Sequence, residues 1–142
     1  MKGKAHVLVC VTQQSSCERL IEAGASIAKS HDMQLSVINV QPEKDSYSPD
    51  PQAMEYLYGV CKKFGAEMNV YFSDAPAVVT AVHAKKNNAN VVTVGFPGEK
   101  SSRFIAEIRM LLPETVITMV DSDKKIYNMI PEASKSLTGV RV

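Results

Sequence analysis

The 142-residue sequence lacks the surplus of positive charge that many nucleic-acid-binding proteins carry. Its 16 Lys and Arg residues oppose 15 Asp and Glu residues, so the formal net charge at pH 7 is +1. Basic pairs such as Lys62 and Lys63 are scattered along the chain, which is typical of solvated surfaces. The charge balance therefore predicts a protein that binds neither nucleic acid nor an anionic membrane.

Long hydrophobic runs are also missing, since no stretch approaches the ~20 apolar residues that cross a bilayer. The first residues lead directly into a strand-like segment without an apolar signal region, so we expect a cytoplasmic protein. Cysteine is sparse as well: Cys10, Cys17 and Cys61 have no metal-ligand spacing and cannot all pair. An odd, sparse set of this kind is typical of free thiols in a reducing compartment.

Recognisable catalytic and metal-binding patterns are absent from the sequence. His6, His31 and His83 lie far apart, without companions at metal-ligand spacing. There is no nucleophile beside a base, no pair of carboxylates in one loop and no G-x-S-x-G motif. The sequence therefore predicts a binding protein that is not an enzyme and has no metal site.

The sequence does contain short apolar strands that alternate with amphipathic helices, and its length fits one domain. Such alternation predicts right-handed crossovers and a mostly parallel sheet flanked by helices. The α/β domain is predicted over residues 1–120, followed by a C-terminal extension over 121–142 that packs at a dimer interface. The five predicted strands are residues 6–11, 34–40, 68–72, 91–94 and 115–120.

Local patterns predict where the helices begin and which faces they bury. Ser15 and Glu18 have the spacing of a capping box, and Asp50 followed by Pro51 is typical of a second helix start. Cys17, in the first turn of the first helix, is either a redox-sensing thiol or, as we favour, a buried small residue. The residues of the third helix predicted to face inward are Val78, Val79 and Val82.

The loop between the fourth strand and the fourth helix is the candidate ligand-binding segment, and the other predicted elements serve to position it. Residues 91–94 run into Gly95, Gly98 follows, and two serines precede an apolar-periodic helix over 104–112. Glycine lets a ligand approach the backbone, and the free N–H groups at a helix N-terminus favour an anion. We therefore expect a phosphate-bearing ligand here, although a turn whose glycines contact nothing fits the isolated G-x-x-G equally well.

Over residues 5–120 the sequence resembles the universal stress protein family. The resemblance rests on the first strand from Val7 to Val11, the helix start Ser16-Cys-Glu-Arg-Leu-Ile, and the strand and loop Val94-Gly-Phe-Pro-Gly98. Within the family it is most similar to the universal-stress domain of Kdp-type potassium-sensing histidine kinases. The resemblance implies a Rossmann-like, adenine nucleotide alpha hydrolase-like fold with a five-stranded parallel sheet in the order 3-2-1-4-5. It also implies a homodimer, which we expect to form through the apolar fifth strand at the sheet edge.

One branch of the family binds nucleotide through a G-x2-G-x9-G-[ST] motif and an Asp at the end of the first strand. This sequence keeps Gly95 and Gly98, lacks the long spacer, and has Thr12 in place of the Asp. The resemblance thus implies a degenerate loop that binds an adenine nucleotide weakly or conditionally, or else a cyclic dinucleotide. The alternative is a ligand-free dimerisation or interaction scaffold of the same fold. The residues expected at the ligand are Val11, Thr12, Val40, Gln41, Gly95, Gly98, Ser101, Ser102 and Arg103.

Overall fold

A computed structural model of the protein describes residues 4–43, 50–96 and 99–131, without the side chains of residues 99–101. Strands and helices alternate along most of this chain, as the sequence predicts. The elements are β1 (His6–Cys10), α1 (Glu18–Ser30), β2 (Gln34–Gln41), α2 (Pro51–Lys63), β3 (Glu67–Phe72), α3 (Pro76–Lys86), β4 (Ala89–Gly95), α4 (Glu99–Leu111), β5 (Val116–Val120) and β6 (Ile126–Met129).

The strands form one mixed sheet in the order β3-β2-β1-β4-β5-β6. The first five are parallel to one another, while β6 runs antiparallel to β5. Helices α1 and α2 pack on one face, and α3 and α4 on the other. The α/β architecture and the order 3-2-1-4-5 are therefore confirmed, with one antiparallel strand added to the predicted sheet.

Strand β1 lies in the middle of the sheet and is covered on both faces. Val7 and Val9 pack with α1 and α2, whereas Leu8 packs with α3 and α4. This alternation explains why the strand is almost continuously apolar in sequence. Helix α1 lies very close to β1 at Gly24, where a Cβ atom would come within 2.4 Å of Val9 Cγ2.

Strand β6 corrects the expectation that residues 115–120 form an exposed edge. Residues 126–129 pair with residues 117–120, so β5 is an interior strand. The Thr118 hydroxyl donates a 2.8 Å hydrogen bond to Asn128 Oδ1 across this pair. The edge of β5 is therefore not available for strand pairing with a second copy, because the main-chain groups on that side already pair with β6.

Asp121 closes the hairpin between β5 and β6. Its carboxylate accepts hydrogen bonds from the N–H groups of Asp123 and Lys125, at 2.8 and 2.9 Å, and from the Tyr127 hydroxyl at 3.1 Å. Burial alone would raise the pKa of Asp121, but these donors outweigh it and hold that pKa below its ordinary value. One carboxylate therefore ties both strands of the hairpin together.

The helix starts agree only in part with the local sequence patterns. The Asp50 side chain accepts from the Ala53 N–H at 3.1 Å, so the predicted start of α2 is confirmed. The capping box is wrong, because Ser15 lies inside a 3-10 turn, Ser15–Cys17, and no side chain caps that turn or α1. The polypeptide enters α1 through this turn, so Cys17 takes the cap position that the sequence pattern predicts for Ser15.

Helix α3 is rotated relative to its predicted orientation. Val78 and Val82 are 52% and 51% exposed, so the expectation that they face inward is wrong. A stripe of smaller residues faces the sheet instead, and it lets the helix approach closely. The buried residues of α3 are Ala77, Thr80, Ala81, His83 and Ala84.

Candidate ligand-binding site

The sheet has a crevice at the carboxyl ends of β1 and β4, where the strand order reverses. The helix that follows β1 packs on one face, and the helix that follows β4 packs on the other. The two connections therefore diverge and leave space between them. Ligands of open α/β sheets bind at such a point.

A cavity of about 290 Å³ lies in this crevice, on the face covered by α3 and α4. Four of the residues predicted to contact a ligand line it, namely Val11, Thr12, Val40 and Gly95. The remaining lining residues were not predicted; they are Cys10, Ile38, Pro76, Thr80, Val94 and Phe104.

The lining follows from strand alternation and from the starts of two helices. Ile38 and Val40 are two residues apart on β2 and so point to the same face of the sheet. Pro76 and Thr80 come from the first turns of α3, and Phe104 comes from α4. Which helical residues reach the cavity depends on how each helix is rotated, and the sequence pattern alone does not reveal that.

The cavity walls are mainly apolar, and the hydroxyl-bearing residues in the lining are Thr12 and Thr80. Burial raises the pKa of Cys10 to about 12, so this thiol stays protonated and uncharged at neutral pH. Ligand pockets usually enclose roughly 300–1,000 Å³, which places this cavity at the small end. Its size and lining suit one uncharged ring system rather than a highly charged group.

Gln41 does not line the cavity. Its amide Nε2 donates to Asn39 Oδ1 at 2.9 Å, and Asn39 Nδ2 donates to the Val11 carbonyl at 2.8 Å, all in buried positions. This amide chain ties the end of β2 to the end of β1 beside the cavity. Asn39 is thus a positioning residue that the sequence analysis missed, because an Asn within a strand carries no distinctive pattern.

Thr12 lines the cavity from the loop that joins β1 to the turn before α1. Its hydroxyl donates to Gln14 Oε1 at 3.3 Å and lies 3.5 Å from Cys17 Sγ. Cys17 itself is only 5% exposed. Its burial supports the packing interpretation that the sequence favours, and a redox role for Cys17 stays untested.

Gly95 ends β4 beside the guanidinium group of Arg19. Arg19 Nε donates to the Asp121 carbonyl at 2.9 Å, and Nη1 donates to the Ser16 carbonyl at 3.0 Å. A Cβ atom on Gly95 would lie 3.6 Å from Arg19 Nη2, which is an ordinary van der Waals contact. Beside Gly95, Arg19 therefore joins α1 to the end of β5.

The expected phosphate-binding half of the site is only partly within the described residues. Helix α4 begins at Glu99, earlier than predicted, so Ser101, Ser102 and Arg103 belong to its first turns. Gly98 and the side chain of Ser101 lie outside the described residues. Ser102 is exposed, as is Arg103.

Arg103 faces a groove between α3 and α4 rather than the cavity. Its Nε lies 3.8 Å from Glu107 Oε2 on the next turn, in a solvent-exposed pair. This α3–α4 groove is lined by Asp74, Ala75, Pro76, Ala77, Val78, Arg103, Phe104, Glu107, Met110 and Leu111. It shares Pro76 and Phe104 with the cavity, so the two spaces adjoin.

Neither a metal centre nor a membrane span is found among the described residues. No three His, Cys, Asp or Glu side chains in that part of the chain come together as a metal-binding group. Among the helices of the same residues, none is long and apolar enough to cross a membrane.

Solved structures that share this fold include several universal stress proteins. One, in complex with cAMP, has a TM-score of 0.64 at 17% sequence identity and covers 85% of this chain and 99% of its own. The universal stress protein from Archaeoglobus fulgidus has a TM-score of 0.60 at 13% identity and covers 84% and 94%. The structure of the Archaeoglobus fulgidus protein in complex with dAMP has a TM-score of 0.58 at 14% identity and covers 84% and 98%.

The comparisons establish a shared fold. No family model matches the sequence. No curated protein matches it either. The particular similarity to the domain of potassium-sensing kinases stays a prediction.

Proposed function

We propose that this protein is a universal stress protein-like signalling module of the cytoplasm that binds an adenine nucleotide in the cavity at the ends of β1, β2 and β4. One observation carries this proposal. Residues predicted from three separate strand ends, including Val11, Val40 and Gly95, meet around a single cavity. Two structures with the same fold contain cAMP and dAMP, which supports the choice of ligand class.

The base of the nucleotide is the part that fits the apolar cavity. Ile38, Val40 and Val94 supply flat apolar walls, and Asn39 fixes the Val11 main chain at the edge. Thr12 offers one hydroxyl to the sugar where a carboxylate would offer two acceptors. Recognition of the sugar is therefore weaker, and we expect binding to be weak or conditional.

The phosphate end belongs at the start of α4. The first four N–H groups of a helix have no partner within the helix, and they carry the positive end of its dipole. Ser102 lies in these first turns and can add a hydroxyl group, whereas Arg103 faces the adjoining α3–α4 groove. We expect AMP to bind at least as well as ATP, whose Kd we place in the high micromolar range, equivalent to about 5 kcal/mol of binding free energy.

Isothermal titration calorimetry with AMP, ATP and cyclic di-AMP tests this function. The informative variant is Cys10→Leu, which puts a larger apolar side chain into the cavity. Its matched control is Ala25→Leu, which fills a different pocket of about 450 Å³ between α1 and the amino-terminal end of β2. We expect Cys10→Leu to weaken binding by about tenfold or more, a loss of about 1.4 kcal/mol, and Ala25→Leu to leave it unchanged.

The outcomes of this experiment separate the candidate functions. Undiminished binding in Cys10→Leu would place the ligand elsewhere on the protein, and equal loss in both variants would show a general effect on the fold instead of a local one. Sub-micromolar ATP binding would contradict the weak sugar recognition, and tight binding of cyclic di-AMP alone would identify a different ligand. If none of the three nucleotides binds, the proposed function is wrong.

A ligand-free interaction scaffold is the second candidate, and the α3–α4 groove favours it. Val78 and Met110, which line the groove, are 52% and 81% exposed. Adjacent exposed apolar side chains of this kind often mark protein-binding surfaces. The calorimetric result distinguishes this candidate from the first one.

A further inference from the structure

His83 belongs to α3, and its buried polar side chain is not used by the site described above. It is 6% exposed, and its Nδ1 lies 2.8 Å from the Tyr71 hydroxyl. The two rings meet edge to face, with their centroids 5.6 Å apart. The other ring nitrogen, Nε2, is buried and has no hydrogen-bond partner among the described residues. A buried polar atom without a partner requires an explanation.

His83 is connected to the cavity by two short routes. Along α3, Thr80 precedes it by three residues on the same buried face, and Thr80 lines the cavity. Across the sheet, its partner Tyr71 is the register partner of Val40, which also lines the cavity. The contact between His83 and Tyr71 thus lies behind both the helical wall and the strand wall of the site.

Protonation changes what this contact requires. A neutral imidazole has one N–H group and one acceptor nitrogen, so pairing with Tyr71 leaves one nitrogen without a partner. A protonated ring has two N–H groups and a positive charge, and the Nε2–H group would point into a buried space without an acceptor. Burying an unpaired charge is costly, so the protonated ring favours a position nearer to water.

Burial, more than any neighbouring charge, keeps the ring neutral near pH 7. Burial is the main cause that lowers the pKa of His83 below its ordinary value of 6.5. His6 on β1 and Lys86 on α3 also lower this pKa, whereas Glu67 on β3 raises it. The neighbouring strands β2 and β4 carry no charged residues. On α4, the charged residues with described side chains are Arg103, Glu107 and Arg109.

We propose that His83 makes the cavity sensitive to pH: the neutral ring holds α3 against the sheet, and protonation loosens α3 and opens the cavity wall. The coupling between His83 and the cavity is a property of the free protein. Its effect on a nucleotide rests on the proposed function. The unfolded chain binds this proton more readily than the folded one, so the contribution of His83 to stability is complete above about pH 6.5 and declines as the pH falls below it.

The first experiment uses the ligand-free wild-type protein. NMR follows the His83 ring and the methyl groups of Thr80, Val94 and Ile117 from about pH 7.5 to about pH 5. We expect the Thr80 and Val94 methyl groups, which border the cavity, to titrate together with the His83 ring. Ile117 lies in β5 and should stay unchanged. Cavity methyl groups that do not move while His83 titrates would overturn the proposal, as would a His83 ring that stays neutral throughout.

Variants identify the responsible histidine. His83→Gln keeps a polar side chain that does not titrate, and it should abolish the methyl titration. The matched control is His31→Gln, which alters an exposed histidine at the end of α1 and should leave the titration intact. If His83→Gln does not fold, Tyr71→Phe removes the hydroxyl partner and should shift the midpoint of the methyl titration. A midpoint unchanged in Tyr71→Phe, or a titration that survives in His83→Gln, would contradict the assignment.

The second experiment adds AMP to the wild type and to His83→Gln at both ends of the same pH range. If ligand binding lowers the pKa of His83 by about one unit, the wild-type affinity should fall by up to about tenfold at low pH. The variant should show no such fall. Absence of AMP binding at every pH would count against the proposed function alone, because the ligand-free titration decides the coupling independently.

Discussion

Gly95 lines the cavity, but its backbone does not adopt the left-handed conformation that favours glycine. Its expected role depended on a positive φ or on backbone contact with a ligand, yet it ends a regular strand and has no positive φ. On the opposite face of the sheet, Arg19 and Leu20 lie at ordinary contact distance from the position that a Cβ atom on Gly95 would take. No local pattern in the sequence reveals that an arginine 76 positions earlier, Arg19, lies there.

Substitutions at Gly95 should therefore depend on side-chain size. Gly95→Ala adds a Cβ atom at ordinary contact distance from Arg19 Nη2 and should leave the free energy of unfolding nearly unchanged. Gly95→Val adds branches that collide with Arg19 or Leu20, and should cost about 1–3 kcal/mol. Urea denaturation of the three proteins measures this difference. Equal destabilisation by alanine and valine would point to a backbone requirement at Gly95 instead.

At the scale of single elements, α3 shows that a sequence pattern does not decide which face of a helix is buried. In α3, Val78 and Val82 have helical spacing, but so do the smaller Ala77, Ala81 and Ala84. The sheet selects the alanine stripe because small side chains permit closer packing, and hydrophobicity alone does not distinguish the two faces. By contrast, Asp50 and Pro51 predict the start of α2 correctly, since a capping hydrogen bond depends only on neighbouring residues.

Strand β6 is held in place by the Asp121 carboxylate, so removing this carboxylate should loosen β6 locally. Asp121→Ala deletes the acceptor for three donors, two of them main-chain N–H groups of the turn. We expect faster hydrogen–deuterium exchange of the amides in Ile126–Met129 and no change in β1. Asp123→Ala is the matched control, because Asp123 contributes its main-chain N–H group to this network. Similar exchange in both variants would show that the carboxylate of Asp121 does not hold the hairpin.

For the molecule as a whole, the alternation of strands and helices was enough to predict the architecture and the edge at which the cavity lies. Strand ends are fixed by topology, and so Val11, Val40 and Gly95 could be named in advance. Pro76, Thr80 and Phe104 could not, because they reach the cavity through the rotation and approach of α3 and α4. The antiparallel β6 was missed because its hairpin uses Asp121 and a positive-φ Lys124 in place of a glycine turn.

A homodimer stays a prediction, and its contact surface now moves to β6. Ile126 and Ile130 are 49% and 63% exposed at that edge of the sheet. Exposed apolar edge strands favour pairing, so we expect a dimeric mass by sedimentation at micromolar concentration. Ile126→Lys should shift the protein to monomer, whereas Val78→Lys in the α3–α4 groove should not. The reverse pattern would assign the contact to the groove, and a monomeric wild type would contradict the dimer.

The central position of β1 also has a consequence for how the chain is synthesised. Its two neighbours, β2 and β4, follow it in sequence, and β4 starts only at Ala89. While the ribosome is still making the second half, β1 can pair on one side only and presents an apolar, unpaired edge on the other. Pairing between strands that are distant in sequence is slow, and exposed edges promote aggregation during that interval. We therefore expect nascent chains that end before β4 to aggregate more readily than the complete domain.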